Sequence, residues 1–546
     1  MDGRVVVQFD KDDIEDLGLI KIDLLGLRTL SVVEETLTEL ERVSGARPDL
    51  ERLDLADPKV YEMCAKADTI GVFQVESRAQ QQTLPRARPE EFNDLVVAVA
   101  IIRPGPIQGH AVHPYLRRRQ GREPVSYPHP LLEPILRDTL GVILYQEQIM
   151  EIAMHVAGFS AGQADRFRRA MNRHRSRVEM ASLEQDFLSG CRRSGMPETA
   201  ASTLFEAVRG FAEFGFCRSH AAAFARTAYE TAWLKLYHPA AYLVGLLNHQ
   251  PMGFYHPSVL VEDARRRGVA VLPLDVNRSW GRCRLEVESG ASVAVRLGFN
   301  YVNGIGDDLR SRLDRERLRG PYSSPEEFWR RTTLPRAVME SLVTVGAFDG
   351  FGQPRRELLW RLKPVEEGLA AGRQRHIGRD GPLQDELMPL PADPPPLPRM
   401  SPEELLATDY RVMGLTTGPH PVALLRRQLD RMGVTPLARA KAALNGTLLK
   451  VAGMVITRQA PPSAHGMRFF TLADESGQLD LILTRDVYRS NRALASHQPL
   501  LVAEGRLRSA EGVASLLVER LKPPPDRVEP MGDELVLPRS TSHDYC

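Results

Sequence analysis

One carboxylate near the start of the chain has a setting that suggests metal chemistry. The segment from Gly18 to Leu30 is largely apolar and places Asp23 in a predicted strand, with Lys21 two residues before it. An ionised aspartate is rarely buried without a cation. Because metal-dependent phosphoryl transfer uses carboxylate ligands, we expect Asp23 to bind Mg²⁺, with a turn aspartate as the alternative.

Arginines in two further segments could hold phosphate groups. Arg103 precedes a turn with two prolines, whose restricted backbone would present a forked donor array to phosphate oxygens. A solvated basic loop is the alternative there. Arg117, Arg118 and Arg119 form a denser cluster that would attract a phosphate backbone from an exposed surface, without sequence specificity.

The strongest basic helix is predicted between residues 163 and 177. Arginines spaced three or four apart share one face, where like charges repel by roughly a few tenths of a kcal/mol per pair. Such a face is easier to explain when a polyanion lies opposite. The face carries Arg166, Arg169, Arg173 and Arg177, with Arg168 and Arg175 beside it.

A third basic element combines three polar residue types at one tight turn. Arg218, Ser219 and His220 come directly before a predicted apolar helix. The arginine supplies a cation that favours a bidentate partner. For His220, a helix cap or a core position explains the residue equally well without further context.

Two regions point to nucleic acid. Asn303, Gly304 and Gly306 lie in a hairpin signature between predicted helices, where glycine lets backbone N–H groups approach a phosphate. Beyond residue 440, five short strands predict a small closed barrel, of a kind that tracks single strands along a basic, aromatic face. A protein-binding or purely structural barrel is the alternative. The barrel candidates are Arg458, Arg468, Phe469 and Phe470.

Length and composition indicate a large multidomain protein. The chain has 546 residues, 43% hydrophobic and 26% charged, and a net charge of only +1, so the charge distribution matters more than its sum. Five scattered cysteines contain no Cys-x-x-Cys pair and suggest neither a zinc site nor a disulfide framework. No signal region or long apolar run is present, so we expect a cytoplasmic protein without membrane contact.

Taken together, these motifs resemble the bacterial family C DNA polymerases, the DNA polymerase III alpha-subunit type. The similarity runs in the family's order from Val5 to about Leu521. Phrases such as those at residues 71–80 and 127–133 look most like the error-prone branch. The chain departs from the family where Asn172 and His174 replace the usual glycine and lysine, and where Arg218 replaces a lysine.

The resemblance implies templated DNA synthesis from dNTPs with two Mg²⁺ ions, in translesion synthesis and damage-induced mutagenesis. Asp23 would be the third of three catalytic aspartates. The family's other two form an upstream Asp-x-Asp pair that this sequence does not contain, so the resemblance implies the C-terminal half of a polymerase, inactive unless another chain supplies the pair. The implied nucleotide-binding residues are Lys21, Arg103, Arg168, Arg169, Arg218, Ser219 and His220.

The predicted fold class is multidomain α+β. Residues 1–60 are expected to be a palm remnant with strands at 4–9 and 19–25. The remaining predicted regions are mostly helical fingers at 61–250, a helix-hairpin-helix region at 251–363, a linker with connecting helices at 364–440, an OB-fold at 441–525 and a flexible tail at 526–546.

The implied partners are primer-template DNA, a separate chain carrying the N-terminal polymerase half, and accessory proteins of mutagenesis. A sliding clamp is suggested only by the short match at residues 384–388. The alternative is that these residues are a solvated linker. Two other hypotheses remain: a catalytically inactive DNA-binding or regulatory fragment, and a remnant that folds poorly.

Overall fold

The computed structural model describes most of the chain. The described residues are 5, 7–10, 13–14, 17–20, 22, 26–102, 112–171, 177–212, 216–287, 293–362, 394, 396–461, 464, 466–525 and 543–545. Side chains are not described at 169–171, 177–181, 210–212 and 543–545.

Thirteen helices with both bounds among the described residues, single 3-10 turns omitted, precede the first strand. They are α1 Arg28–Ser44, α2 Pro58–Ala65, α3 Arg78–Ala87, α4 Phe92–Ile101, α5 Val112–Arg119, α6 Glu133–Leu136, α7 Gln146–His155, α8 Ala161–Met171, α9 Arg177–Arg193, α10 Glu198–Ala212, α11 Arg218–Tyr237, α12 Pro239–Asn248 and α13 Pro257–Arg266.

These helices pack around more than one core. In the first, the buried apolar helix α4 lies against α11, with Leu95 and Tyr229 fully buried. In the second, α7 to α10 enclose Phe167, Phe187 and Phe205, whose rings stack or tilt at centroid distances of 5.4 to 6.4 Å. Aromatic rings in such contact contribute burial and specific geometry. The mostly helical character expected for residues 61–250 is confirmed.

A third core lies where α1 and α12 pack against the segment beyond residue 255. Helix α1, in the predicted palm remnant, packs with α12 and with this later segment, and Val32, Val244 and Leu342 share the core. A small sheet with strand order β1-β3-β2 lies here. The elements are β1 Val271–Leu272, β2 Arg284–Val287, β3 Val293–Arg296, α14 Asp307–Arg317, α15 Pro325–Thr332 and α16 Arg336–Thr344.

The C-terminal region is a closed barrel with OB-fold topology. Strand β4 pairs with both β5 and β7, and β6 pairs in parallel with β8, so five strands close in the order β4-β5-β6-β8-β7. The alternation that predicted the strands places Leu472 and Leu481 inside. The elements are α17 Pro402–Met413, α18 Pro421–Arg431, α19 Leu437–Lys441, β4 Leu448–Gln459, β5 Arg468–Ala473, β6 Gln478–Leu483, α20 Arg485–Ser490, α21 Arg492–His497, β7 Leu500–Ala510 and β8 Val513–Lys522.

Two expectations about the chain ends differ from the structure. The described residues among 5–27 contain no strand, and apolar side chains there, such as Val5 and Ile20, are exposed where they were expected in a sheet. A strand needs a partner to satisfy its backbone, and alternation alone does not supply one. In the tail expected to be flexible, His543–Tyr545 forms strand β9, parallel to β4 at Thr457–Gln459.

Candidate functional site

The start of α7 brings two of the predicted phosphate-binding segments together. Tyr145, Gln146 and Glu147, here called the central turn, lie beside the segment that leads into α11. The Gln146 N–H donates to the Phe216 carbonyl at 2.9 Å, and Tyr145 and Phe216 form an isolated parallel bridge. Gln148 accepts from the N–H groups of residues 144 and 145, which fixes the helix start. The central turn is therefore held by a backbone hydrogen bond to Phe216 and by the Gln148 side chain.

Arg168 reaches the central turn from α8. Its Nη1 donates to Gln146 Oε1 at 3.2 Å, and its Nη2 donates to Asp165 Oδ1 at 2.9 Å, one turn earlier on the same helix. The side chain is 23% exposed. The guanidinium is thus oriented by two protein oxygens while remaining open to solvent. Arg169 belongs to the same helix, and its side chain lies outside the described atoms.

Arg218 reaches the same turn from the first residue of α11. Its backbone N–H donates to both Glu147 carboxylate oxygens at 2.9 and 3.0 Å, and its guanidinium pairs with Asp138 Oδ2 at 2.6 Å. The guanidinium also lies over the Tyr145 ring, 5.7 Å from its centroid. The side chain is 48% exposed, so the ion pair with Asp138 is worth at most about 1 kcal/mol.

Ser219 and His220 extend this site along the exposed start of α11. The Ser219 hydroxyl lies 3.0 Å from Cys217 Sγ. The His220 ring packs edge-on against Phe216 and Phe224, with centroids 5.1 and 4.1 Å away. His220 is exposed, so the core position considered from the sequence is wrong, and its ring nitrogens can face solvent.

The floor of the site is an aromatic ring with an unused hydroxyl. Tyr145 is 1% exposed, and among the described residues its buried hydroxyl has no hydrogen-bond partner. Burial raises the pKa of Tyr145 well above its ordinary value, and the nearby Arg218 opposes that effect. The phenol therefore stays neutral and can only donate or accept a hydrogen bond.

Three residues expected at the centre cannot be placed. Asp23, Lys21 and Arg103 lie outside the described residues. Within the described residues, no group of three or more His, Cys, Asp or Glu side chains could hold a metal ion. The predicted ligand Asp23 lies outside the described residues, so the expected two-metal site stays a prediction, and no chemical step is assigned to a metal here.

The arginine cluster on α5 is less free than the sequence suggested. Arg118 donates to Glu123 and to the Leu140 carbonyl and is 14% exposed, and Arg119 pairs with Asp94 at 2.6 Å. Arg117 is 55% exposed and shares Glu123. Two of the three guanidiniums are thus engaged in contacts within the protein, which limits their reach toward a phosphate backbone. Their DNA-binding role stays a prediction.

The glycine hairpin lies before α14 as expected. Gly304 has a φ of +90°, which favours glycine, and Gly306 is the residue before the helix. Asn303 donates to the Arg411 carbonyl, so its side chain is tied to α17. Asp307 and Asp308 occupy the first turn of α14 and already complement the positive helix end. A phosphate at this hairpin would meet those carboxylates.

The barrel residues divide into core and surface. Phe470 is 2% exposed in the barrel core, so the structure contradicts its predicted role as a stacking platform. Arg458 donates to the carbonyls of Ala495 and Gln498 and so joins β4 to the end of α21. Phe469 is covered by Arg78, whose Cζ lies 5.0 Å from the ring centroid. Arg468 lies over the Tyr488 ring at 4.9 Å.

Two site residues were not selected from the sequence. Glu147 accepts the Arg218 N–H, and Asp138 pairs with its guanidinium. Glu147 lies in the first turn of α7, where a carboxylate complements the positive helix end. Asp138 is 80 residues from Arg218 in the chain, and no local pattern connects the two.

Two family models match parts of the chain that contain predicted site residues. Residues 29–195 match the finger domain of the bacterial DNA polymerase III alpha subunit, and residues 268–358 match a helix-hairpin-helix motif. The chain thus resembles the C-terminal part of proteins of the DNA polymerase III alpha-subunit type. The finger-domain match covers the central turn and Arg168, and the helix-hairpin-helix match covers Asn303, Gly304 and Gly306.

Similar curated proteins are error-prone DNA polymerases. The chain is 45% identical to that of Mycolicibacterium paratuberculosis, over 95% of this chain and 46% of the relative. It is 43% identical to that of Corynebacterium glutamicum, over 96% and 48%, and 42% identical to that of Methylococcus capsulatus, over 96% and 50%. The chain thus spans about half the length of the curated relatives it matches.

Among solved structures, an asparaginyl-tRNA synthetase from Pyrococcus horikoshii matches 16% of this chain and 22% of that chain at 20% identity, with a TM-score of 0.15. That score supports no conclusion. None of the helices in the described residues has the length and apolar character needed to span a membrane.

Proposed function

We propose that this chain forms the nucleotide-holding and DNA-holding part of an error-prone, DNA-directed DNA polymerase. The observation that carries the proposal is the convergence of Arg168 and Arg218, from two different helices, on the central turn. Relatives named error-prone DNA polymerase support the reaction class. The substrates would be dNTPs and primer-template DNA.

The electrostatics of the site suit a triphosphate. The Arg218 N–H at the start of α11 already binds one anion, the Glu147 carboxylate, and a phosphate there would replace it or lie beside it. Arg168 and Arg218 keep only weak, solvent-accessible ion pairs in the free protein, so little is lost when they turn to phosphate oxygens. Such charge neutralisation is much of what phosphoryl transfer requires of a protein.

Several residues enter the proposal from the family resemblance alone. Asp23 would bind Mg²⁺, and Lys21, Arg103 and Arg169 would lie near the nucleotide phosphates. One carboxylate cannot hold two metal ions, so the proposed reaction also needs the Asp-x-Asp pair. A cytoplasmic location, a separate chain carrying that pair, and clamp or accessory partners stay predictions.

The nucleotide site can be tested without turnover. Titration of the chain with a fluorescent dNTP should show binding that Arg168→Ala weakens by roughly 10- to 100-fold, the effect of a lost charge-assisted hydrogen bond. Arg166→Ala is the matched control, because Arg166 is an exposed arginine on α8 whose guanidinium donates to the Gly162 carbonyl and not to the central turn. Equal effects of the two substitutions would contradict the site.

The reaction is tested by primer extension after mixing the chain with a polypeptide that carries the Asp-x-Asp pair. We expect Mg²⁺-dependent extension that Asp23→Ala abolishes. No extension by the mixture, or full extension by the Asp23 variant, would contradict the polymerase assignment.

The helix-hairpin-helix match favours a second candidate, a DNA-binding or regulatory role without catalysis. It predicts binding to primer-template DNA that weakens steeply with salt and is accompanied by no incorporation in the same mixture. Binding that salt does not change would exclude it.

A further inference from the structure

One face of the barrel is covered by a helix of the finger domain. Arg78 on α3 pairs with Asp480 Oδ2 on β6 at 3.4 Å, stacks on Phe469 of β5, and is 7% exposed. Gln82, four residues later, donates to the same Asp480 oxygen at 3.2 Å. Because residues four apart share a helix face, one stripe of α3 lies on the outer side of β5 and β6.

The same stripe continues to the turn between β7 and β8. Arg86, eight residues after Arg78, pairs with Glu511 Oε2 at 3.2 Å, and Arg122 also pairs with this carboxylate. Glu511 lies in the turn with a φ of +57°. Strands two and three and this turn are the parts with which OB-folds commonly bind oligonucleotides. Here they bind the finger domain instead.

The charge on this face fits protein better than nucleic acid. Its central side chains, Asp480 and Glu511, are acidic and would repel phosphate, and both are paired with arginines. Thr471 donates to Asp480 Oδ1 at 2.7 Å, so the aspartate is held by the barrel itself. The covered surface is therefore complementary to α3 as it stands.

A different part of the barrel carries exposed cations. Arg485 and Arg489 share a face of α20 at a spacing of four, and Arg492 begins α21. All three are exposed, and within the described part of the chain they form no ion pair. Arg468 lies over the Tyr488 ring, which joins this group to the start of β5. We call this surface the basic end; Asp486 is the acid within it.

We propose that the β5–β6 face is a fixed docking surface for the finger domain and that the barrel binds single-stranded DNA at the basic end. Guanidiniums, including that of Arg468, which lies over the Tyr488 ring, would contact phosphates. The assignment rests on the proposed function, since it takes single-stranded template as the ligand. In this proposal the barrel contacts DNA through Arg485 and Arg489, and not through Arg458 and Phe470 as the sequence predicted.

Fluorescence anisotropy of a labelled oligo(dT) with the full chain tests this proposal. The double substitution Arg485→Ala and Arg489→Ala should weaken binding about tenfold or more near 0.1 M salt and lower the salt slope by about 1.4, the value for two phosphates on a single strand. Arg506→Ala with Arg520→Ala is the matched control, with the same loss of charge on β7 and β8.

A second pair of variants tests the docking surface. Asp480→Asn with Glu511→Gln should leave oligo(dT) affinity within about twofold, because the covered face takes no part in binding. A rise in affinity would show that the finger domain and DNA compete for that face, and would overturn the proposal. The proposal would also be overturned if the basic-end variant lost no more affinity for oligo(dT) than its control did. It would be overturned as well if the chain did not bind oligo(dT) at all. None of these outcomes depends on dNTP binding or primer extension.

Discussion

At the scale of single residues, Glu76 is a buried carboxyl group outside the candidate site. It is 7% exposed and accepts hydrogen bonds from the N–H groups of Gly71 and Phe254 at 2.9 and 3.2 Å. Burial raises its pKa to about 7, although these hydrogen bonds lower it. The residue immediately precedes the cap of α3, so its protonation state bears on the helix that carries the barrel.

The raised pKa predicts a specific pH dependence of stability. The folded chain holds this proton more tightly than the unfolded chain, so the contribution of Glu76 is complete below about pH 4.5 and is lost as the pH rises through 7. The difference in free energy of unfolding between wild type and Glu76→Gln should fall by on the order of 3 kcal/mol from pH 5 to pH 8. Urea unfolding at several pH values measures it.

Glu62→Gln is the control for that series. Glu62 lies on the surface of α2, where a hydrogen bond from Lys66 lowers its pKa, so it is ionised throughout this range. The difference in free energy of unfolding between wild type and Glu62→Gln should not change between pH 5.5 and 8. A flat difference for Glu76→Gln as well would show that the carboxylate stays ionised in the folded protein.

At the scale of elements, the position of α8 and Arg168 depends on a close helix contact. A Cβ at Gly190, on α9, would overlap the backbone carbonyl of Ala157, which follows α7. The phenyl rings of Phe167 and Phe187 stack 5.4 Å apart in the same core. Because backbone cannot move aside as a flexible side chain can, glycine at this crossing permits the packing.

Gly190→Ala should therefore destabilise the chain by about 1–3 kcal/mol, the usual effect of overpacking. Gly162→Ala on α8 is the matched control, since nothing lies within 4 Å of its Cβ position. That change should be neutral or stabilise the helix by up to about 1 kcal/mol. Thermal unfolding compares the two variants, and a neutral Gly190→Ala would mean that α9 can shift away from residue 157.

At the scale of the whole molecule, the barrel and the finger domain are joined by a buried ion pair. Burial lowers the pKa of Arg78, and Asp480 only partly opposes this effect, so desolvation outweighs the attraction between the charges. An ion pair of this kind stabilises the folded protein little more than apolar residues of the same size would at these two positions. Removing one partner is costly because the other charge stays buried.

Arg78→Ala should thus destabilise the docked barrel by about 3 kcal/mol, and the double variant Arg78→Met with Asp480→Leu should recover most of that loss. Limited proteolysis and urea unfolding report the two effects. As a control, Arg52→Ala removes an ion pair with Asp49 in which the arginine is 88% exposed, and should change stability by less than about 0.5 kcal/mol. A neutral Arg78→Ala would contradict the tight docking.

Local patterns predicted much of the fold. The five barrel strands follow from alternation and turn residues, and the helical region follows from apolar spacing, because the hydrophobic periodicity of a segment directly reflects which face is buried. The same periodicity failed near residues 4–25, where no described residue is in a strand. Sheet formation there depends on a partner strand, which the periodicity of one segment does not report.

The side chains available at the candidate site could be read from the sequence, since the basic turn at Arg218 and the basic helix at Arg168 are visible in it. Long-range packing brings both to Gln146 and Glu147, engages Arg118 and Arg119 in internal contacts, and buries Phe470 in the barrel core. The reason is physical. The type of a side chain fixes which bonds it can form, whereas its partners are set by packing between segments far apart in the chain.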